Sequence, residues 1–192
     1  MRAPKFWFNK PSTWHLGSLM LSPLGKIYAY KTARRLASPP FVIPSVPVVC
    51  VGNLNAGGTG KTPTVIALSE ICNDLGLKTI VVSRGYRGHK KGPLKINPNN
   101  HLANEVGDEP LLLANFAETI VSKNRAAGVE AALEFKPDVI LLDDGFQDST
   151  IFKKLSFIVV DAEKGFGNGL CIPAGPLREP VNKAIRRADA VI

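Results

Sequence analysis

The chain has 192 residues, a formal net charge of +8 at pH 7, 45% apolar residues and 21% charged residues. This length suffices for one α/β domain with a buried core, and the composition excludes a collagen-like repeat and wholesale disorder. No run reaches the roughly 18 apolar residues of a membrane span. The first eleven residues lack the apolar block of a signal peptide, so we expect the chain to stay in the cytosol.

The three cysteines, Cys50, Cys72 and Cys171, are odd in number and far apart. They fit neither a zinc spacing nor a disulfide framework, so we interpret them as thiols of the core.

The positive charge is concentrated in the first third of the chain. Residues 1–69 contain eight Lys and Arg residues and no acid, whereas residues 70–192 contain 16 bases and 16 acids. The prolines at positions 39 and 40 then mark a boundary. We therefore predict a basic aromatic arm over residues 1–40 and a neutral domain over residues 41–192.

The arm contains aromatic residues and a predicted helix. Trp7 and Trp14 lie near its start. Ser22 and Pro23 are typical of a helix start, so we predict a helix from Pro23 to about Leu36. Its apolar stripe is Leu24, Ile27 and Tyr28, surrounded by Lys26, Lys31, Arg34 and Arg35. Such a helix suits an anionic membrane surface, or it packs on its own domain with a solvated basic face. Nucleic acid is a third alternative, less favoured because no known binding motif is present.

The segment after the arm carries a phosphate-binding pattern. A β-branched run at 46–51 precedes GNLNAGGTGKTP, and apolar residues at helical spacing follow over 65–75. In such a loop the glycines let backbone N–H groups face nucleotide phosphates, the lysine reaches the β/γ oxygens, and the hydroxyl binds Mg²⁺. The predicted nucleotide-binding residues are Asn55, Ala56, Gly57, Gly58, Thr59, Gly60, Lys61 and Thr62. Asn55 stands where the strict pattern has glycine, and asparagine tolerates a left-handed backbone.

A second polar element follows a buried strand. Val139–Leu142 is apolar and leads directly into Asp143 and Asp144. A carboxylate at this end of a parallel strand lies beside the phosphate loop, where it binds Mg²⁺. Adjacent side chains of a strand face opposite ways, so only one of the two aspartates points at the metal unless the strand has already ended.

The remaining pattern completes an α/β sheet. We predict further strands at 79–83, 119–122, 157–161 and 190–192, and a helix at 125–135. Strands that alternate with helices indicate a parallel sheet covered on both faces. The basic segment 84–101 either covers an anionic substrate or is a solvated hairpin. Asp108 precedes an apolar run, so it either caps a helix or accepts a proton in catalysis.

Five sequence strings in this order resemble the tetraacyldisaccharide 4'-kinase family: VGNLNAGGTGKTP, SRGYRG, EVGDEP, DDGFQ and FGNGLCIPAGPLREP continuing to RADAVI. The resemblance runs from the arm to the last residue. It implies a P-loop kinase fold and ATP- and Mg²⁺-dependent phosphorylation of the lipid A disaccharide precursor. It also implies peripheral attachment to the anionic, cytoplasmic face of the inner membrane of Gram-negative bacteria, and it therefore favours the membrane interpretation of the arm.

The same resemblance assigns roles to individual residues. It places residues 55–62 on ATP, with Lys61 also catalytic, and makes Asp108 the catalytic base. Glu109 would lie near the metal, to which Thr62, Asp143 and Asp144 would also contribute. The segments 167–169 and 173–179 would shape the substrate side.

Two departures from the family pattern stand out. Asp148 replaces the histidine that usually follows DDGFQ. Family members continue past RADAVI into a second lobe that supplies a histidine partner for the catalytic aspartate, so we expect a truncated form or fragment here. The alternatives to a lipid kinase are a membrane-associated ATPase switch and an inactive ATP-binding fragment. The switch class wants a lysine at Ala56, and a GTPase would need an Asn-Lys-x-Asp string that is missing.

Overall fold

A computed structural model describes residues 3–10, 13 and 15–192. Its seven strands form one sheet in the order β3-β4-β2-β5-β1-β6-β7. The strands are β1 (Val48–Gly52), β2 (Thr79–Ser83), β3 (Leu94–Lys95), β4 (Glu118–Val121), β5 (Val139–Asp143), β6 (Leu155–Ile158) and β7 (Ala190–Val191). All of these pairings are parallel except that of β3 with β4.

Six α-helices and two short 3-10 helices accompany the sheet in the described ranges. The α-helices are α1 (Leu16–Leu36), α2 (Lys61–Asp74), α3 (Ala103–Val106), α4 (Asp108–Leu113), α5 (Arg125–Leu133) and α6 (Val181–Ala184). The 3-10 helices are Lys5–Phe8 and Ile185–Arg187. The predicted bounds of the strands, and of the helix at 125–135, agree with the observed bounds to within about three residues. Strand β3 was not predicted.

The core lies on both faces of the sheet. On one face, Val82 and Leu142 pack in a cluster with Val129 of α5. On the other face, Val81 and Leu141 pack in a cluster with Val65 of α2. Neighbouring residues of one strand therefore contact opposite helical layers, as the pleat of a strand requires. The predicted fold class, an α/β parallel sheet with helices on both faces and an N-terminal helix, is confirmed.

Helix α1 begins earlier than predicted. It starts at Leu16, and the ring of His15 caps it by accepting a hydrogen bond from the Gly17 amide at 3.1 Å. Pro23 lies inside the helix instead of at its start. A proline there removes one backbone donor, toward the carbonyl of Leu19.

The inner face of α1 consists of small residues. Ser18, Gly25 and Thr32 are its buried residues, seven positions apart. A Cβ on Gly25 would stand 2.8 Å from the carbonyl oxygen of Cys171, so the helix axis runs close to that segment. Tyr28 packs against the core, whereas the other predicted stripe residues, Leu24 and Ile27, are exposed.

Further contacts attach the arm to the segment 165–177. The indole nitrogen of Trp7 donates to the Pro173 carbonyl at 3.0 Å. The amide of Asn168 donates to the Phe6 carbonyl and to the Ser18 hydroxyl, at 3.2 and 3.3 Å. Trp14 lies outside the described residues. Among the helices described, none combines the length and apolarity needed to cross a membrane.

The cysteines are free thiols. Cys50 and Cys171 are buried, as predicted, whereas Cys72 is half-buried. Burial raises the pKa of the Cys50 thiol to about 12, so this thiol is a neutral part of the core.

Candidate active site

The phosphate loop lies between β1 and α2. Gly60 precedes α2 with φ of 89°, a left-handed conformation that a side chain would strain, and it caps the helix. The side chain of Asn53 holds the loop by donating to the Gly57 carbonyl and to the Thr59 hydroxyl, both at 3.0 Å. Gly57 and Gly58 are exposed, and no atom lies within 4 Å of where their Cβ atoms would stand. The loop therefore faces open space at the positive end of α2.

Asn55 lies at the start of the loop and contacts the segment 165–177. It is buried and does not have the left-handed backbone that the motif suggested. Its backbone forms a bridge with Leu177, and its amide donates to the Gly165 carbonyl at 2.8 Å. The Ala56 amide donates to Pro176 at 2.8 Å. Asn55 and Ala56 thus tie the start of the loop to the segment 165–177.

Asp144 is the meeting point of the polar groups at this edge of the sheet. Strand β5 ends at Asp143, and Asp144 adopts a left-handed φ of 51° directly after it. The Asp144 carboxylate lies 3.7 Å from Lys61 Nζ and accepts a hydrogen bond from Arg178 at 2.8 Å. The strand has therefore ended before the second aspartate, and the two aspartates are not held to opposite faces.

Asp143 is buried beneath Asp144. Its Oδ2 atom accepts a hydrogen bond from the Ser83 hydroxyl at 2.8 Å, and its Oδ1 atom has no hydrogen-bond partner among the described residues. Burial raises the pKa of Asp143 to about 6, the Ser83 hydrogen bond opposes this, and the Asp144 and Glu109 carboxylates raise it further. A buried carboxylate oxygen without a partner is an acceptor that a cation could use.

Asp108 is the first residue of α4, and the cap position before it belongs to Gly107. Gly107 has φ of 98°, and a Cβ there would stand 2.5 Å from the Tyr86 carbonyl oxygen, so only glycine permits this approach. Asp108 is exposed, and its carboxylate makes no hydrogen bond or ion pair with the described residues. Capping through its side chain therefore does not explain Asp108.

The basic segment 84–101 packs against the turn that carries Asp108. Lys123 Nζ donates to the carbonyls of Gly85 and Gly88, the second at 3.0 Å. Lys90 forms an ion pair with Glu105 at 3.0 Å, and its backbone amide also donates to Glu105. The segment is therefore not a free solvated hairpin, since it forms hydrogen bonds and an ion pair with the residues that directly precede the Gly107–Asp108 turn.

Polar side chains that follow Asp144 in the chain form a network with it, and they were not among the predicted site residues. Gln147 donates to the Asn53 carbonyl at 2.9 Å and to Glu179 at 3.1 Å, and it accepts from Arg178 at 3.3 Å. The buried Glu179 also pairs with Arg187. Arg178 and Glu179 lie within the segment 173–179 that the family resemblance placed on the substrate side, and that was the signal available for them.

The predicted metal residues come from three elements of the fold: α2, α4 and the end of β5. Thr62 lies in the first turn of α2, and Glu109 is close enough to Asp143 to raise its pKa. In the part of the chain that the structure describes, no group of three or more His, Cys, Asp or Glu side chains is arranged to hold a metal. A Mg²⁺ at a phosphate loop needs only one or two carboxylates, because phosphates and water complete its shell.

The arrangement combines cations and carboxylates in one open edge. Lys61 and Arg178 can contact anionic oxygens, and Asp143 and Asp144 can contact a cation. An edge of this kind can bind and orient a phosphorylated ligand together with a divalent cation.

Comparison with known proteins agrees with this geometry. A family model described as LpxK, tetraacyldisaccharide-1-P 4'-kinase, matches residues 17–192. The tetraacyldisaccharide 4'-kinases of Dinoroseobacter shibae and a Jannaschia species are 56% and 52% identical over 192 residues. These matches cover all of this chain and 57% and 58% of the two relatives.

A solved structure is also similar. It is the crystal structure of the "apo" form of LpxK from Aquifex aeolicus in complex with ATP at 2.2 Å resolution, with 34% identity and a TM-score of 0.78. The match covers 91% of this chain and 57% of that one. The chain thus spans less than two thirds of the length of its relatives. With a family model that matches nearly all of it, the chain belongs to the tetraacyldisaccharide-1-P 4'-kinase family.

Proposed function

We propose that this chain forms the ATP-binding part of a kinase that phosphorylates the 4'-hydroxyl of the tetraacyldisaccharide 1-phosphate precursor of lipid A. The observation that carries the proposal is the contact of Lys61 and Arg178 with Asp144, directly beside an open phosphate loop. Family membership adds the acceptor class to this geometry. The chain spans 57% of its relative from Dinoroseobacter shibae, so the complete activity also needs what lies in the rest of such proteins.

The phosphate loop suits ATP in its shape and in its charge. The exposed glycines leave room for phosphate oxygens, and backbone N–H groups at the start of α2 point into that room. The Lys61–Asp144 distance of 3.7 Å is long for an ion pair, so Lys61 can turn to the β/γ oxygens at small cost. Residues 55–62 are the proposed nucleotide site, although Asn55 and Ala56 act by anchoring the loop.

Mg²⁺ fits the carboxylates at this edge. The Oδ1 atom of Asp143 has no hydrogen-bond partner in the described part of the chain, and Asp144 is the next residue. Thr62, Asp143, Asp144 and Glu109 are the residues proposed to hold the ion, directly or through water. When bound, Mg²⁺ would neutralise charge on the phosphate oxygens of ATP.

Asp108 is the proposed catalytic base. It is exposed at the start of α4, and the carboxylate of its neighbour Glu109 is near enough to raise the pKa of Asp143. An exposed carboxylate in this place can accept the proton of the sugar hydroxyl as that oxygen attacks the γ-phosphorus. Lys61 and Arg178 would stabilise the negative charge on the transferring group.

The arm is proposed to attach the protein to the anionic cytoplasmic face of the inner membrane, with residues 41–192 as the kinase domain. Large apolar side chains of α1 face outward, and they are Leu16, Leu19, Met20, Leu24, Ile27 and Tyr30. Lys26, Lys31 and Arg34 are also exposed on this helix. An apolar face with nearby bases suits the boundary of an anionic bilayer, where each base adds about 1 kcal/mol.

Transfer of labelled phosphate from ATP to the lipid acceptor tests the proposal. The protein used is a hybrid in which the remaining length of the Dinoroseobacter shibae relative follows Ile192. We expect acceptor-dependent turnover, and Asp108→Asn should lower kcat by about 10²–10⁴-fold with ATP binding preserved. Asp138→Asn is the matched control. Asp138 directly precedes β5, at the end of that strand opposite to Asp143, and this change should leave turnover unchanged.

The same assay separates the alternatives. ATP hydrolysis that proceeds equally without lipid would indicate a membrane-associated ATPase switch. A hybrid that binds ATP but neither hydrolyses nor transfers phosphate would indicate an inactive ATP-binding protein. Either result would overturn the kinase proposal.

A further inference from the structure

Asp148 closes the turn that begins at Asp144. The Asp148 amide donates to the Gly145 carbonyl at 3.0 Å. Its Oδ1 atom accepts hydrogen bonds from the Thr150 amide at 3.0 Å and from the Thr150 hydroxyl at 2.6 Å. Its Oδ2 atom is left to face Arg125, at 3.8 Å from Nη1. One oxygen of the carboxylate therefore stabilises the local turn, and the other forms an ion pair with Arg125, which is distant in sequence.

Arg125 connects the two ends of this turn. It lies at the start of α5, and its Nη2 atom donates to the Asp144 carbonyl at 2.7 Å. The same guanidinium thus contacts Asp148 through one nitrogen and the backbone of Asp144 through another. Asp144 holds a left-handed φ of 51°, a strained conformation for a non-glycine residue that persists when its surroundings stabilise it. The Arg125 hydrogen bond is one such stabilising contact.

Asp148 is one of the carboxylates that balance the charge of the buried Arg125. The side chains of Arg125 and Asp148 are only 11% and 18% exposed, and the Nε atom of Arg125 has no partner among the residues described. Burial lowers the pKa of Arg125, and the Asp144 and Asp148 carboxylates oppose that change. A buried guanidinium that loses a counter-ion becomes costly, so it would move toward water and away from the Asp144 carbonyl.

We propose that Asp148 is a positioning residue that acts through Arg125 to hold Asp144 in the conformation that serves Mg·ATP. The Asp148 carboxylate forms its ion pair with Arg125, whereas Lys61 and Arg178 contact Asp144, so the charge of Asp148 reaches the site along the Asp148–Arg125–Asp144 chain. The inference rests on the proposed nucleotide site and adds a determinant of its affinity for the metal complex.

Three substitutions of Asp148 separate charge from shape. Asp148→Asn keeps the acceptor for Thr150 and removes the charge, Asp148→Ser removes the charge with a smaller side chain, and Asp148→Glu keeps the charge. Titration calorimetry of the 192-residue chain, well below each variant's Tm, should show Mg·ATP binding weakened about 10-fold in the two neutral variants. Asp148→Glu should remain within about twofold of the wild type, and ATP without Mg²⁺ should bind all four proteins equally.

Hydrogen exchange of the nucleotide-free chain provides a second measurement. The Asp144 amide donates to the Val51 carbonyl at 2.8 Å, so its exchange reports on the turn itself. Asp148→Asn should speed exchange of residues 143–149 by about 10-fold and leave β2 unchanged. Asp138→Asn is the matched control with the same loss of charge, since its exposed carboxylate accepts from the Lys78 amide at the opposite end of β5.

The outcomes separate this inference from the proposed function. If wild type binds Mg·ATP and Asp148→Asn binds it equally well, the role of Asp148 is wrong and the nucleotide site stands. Parallel weakening of ATP with and without Mg²⁺, or faster exchange throughout the sheet, would show a merely structural role and overturn the inference. If wild type does not bind Mg·ATP, the nucleotide site and this role both fail.

Discussion

The open edge of the sheet and helix α1 depart from the usual burial pattern in opposite ways. At the edge, Asp143 is a buried acid, and one of its oxygens lacks a partner within residues 3–10, 13 and 15–192; the half-buried Asp144 and Lys61 lie beside it. On α1, small residues such as Gly25 are buried and large apolar residues such as Met20 are exposed. Neither arrangement is what folding alone would favour, so each supports the ligand surface proposed for it. The edge suits a phosphorylated ligand, and the helix suits an apolar surface.

The largest effect is expected from removing the cation of the edge. Lys61→Ala should weaken Mg·ATP binding by about 100-fold or more, because a charge directed at the phosphates is lost in a site partly shielded from water. Titration calorimetry of the 192-residue chain measures this. Lys154→Ala, an exposed lysine just before β6, is the matched control and should bind as wild type does. Equal binding by Lys61→Ala would mean that the loop is not a phosphate site.

The arm should respond to apolar substitutions and not to changes at the edge. Met20 and Ile27 are 71% and 53% exposed, so Met20→Glu combined with Ile27→Glu should leave the fold intact. Flotation with phosphatidylglycerol vesicles should show binding reduced by about 10–100-fold, since two side chains no longer enter the bilayer. Wild-type binding should also weaken with added salt, because screening reduces the reach of charge to about 8 Å at physiological ionic strength.

An exposed isoleucine outside the arm provides the control for this experiment. Ile71 of α2 is 54% exposed, nearly the same as Ile27. Ile71→Glu should float with vesicles as wild type does, and Mg·ATP affinity should not change in any of these variants. Vesicle binding that ignores salt and the double substitution would show that α1 is a solvated helix packed on its own domain.

The smallest effect concerns the stability of the edge without ligand. The pKa of Asp143 is about 6 in the folded chain, raised from 3.8 by burial, so folding favours its protonated form. Its contribution is therefore present below about pH 4 and is lost as the pH rises to about 6 and beyond. Between pH 4 and pH 8 this loss amounts to about 1–3 kcal/mol.

Asp143→Asn should remove that part of the pH dependence. Thermal unfolding of the ligand-free chain should show a smaller drop in Tm between about pH 4.5 and pH 8 in this variant, by a few degrees. Asp138→Asn, an exposed aspartate at the other end of β5, should keep the wild-type pH dependence. Identical pH profiles for wild type and Asp143→Asn would contradict the burial of a charge at this position.

Local sequence patterns predicted most of the sheet. Strand β2 has the predicted bounds, 79–83. A short, continuous run of β-branched residues is typical of a parallel strand that is buried on both faces, and all five residues of β2 are buried. The phosphate loop was equally predictable, since its glycines and lysine lie within a few residues of each other. The start of α1 was not, because a proline usually begins a helix and here lies inside one that the tertiary contacts of Ser18 and Gly25 support.

Contacts between distant residues could not be predicted. Arg178 reaches Asp144 across 34 positions, and Asn55 pairs with Leu177 across a still longer interval. No periodicity relates such residues, so sequence reasoning had only the family resemblance to guide it. The role of Asp108 in catalysis and the identity of the metal residues stay predictions.

The segment 165–177 touches both regions compared above. It contacts the phosphate loop at Asn55 and Ala56. It contacts the arm where Trp7 donates to the Pro173 carbonyl and where Asn168 of the segment donates to the Phe6 carbonyl. Thermodynamic linkage therefore applies to the two surfaces as a pair. Any factor by which vesicle binding changes the affinity for ATP is the factor by which ATP changes the affinity for vesicles, so either ligand can be used to measure what the other does to the segment between them.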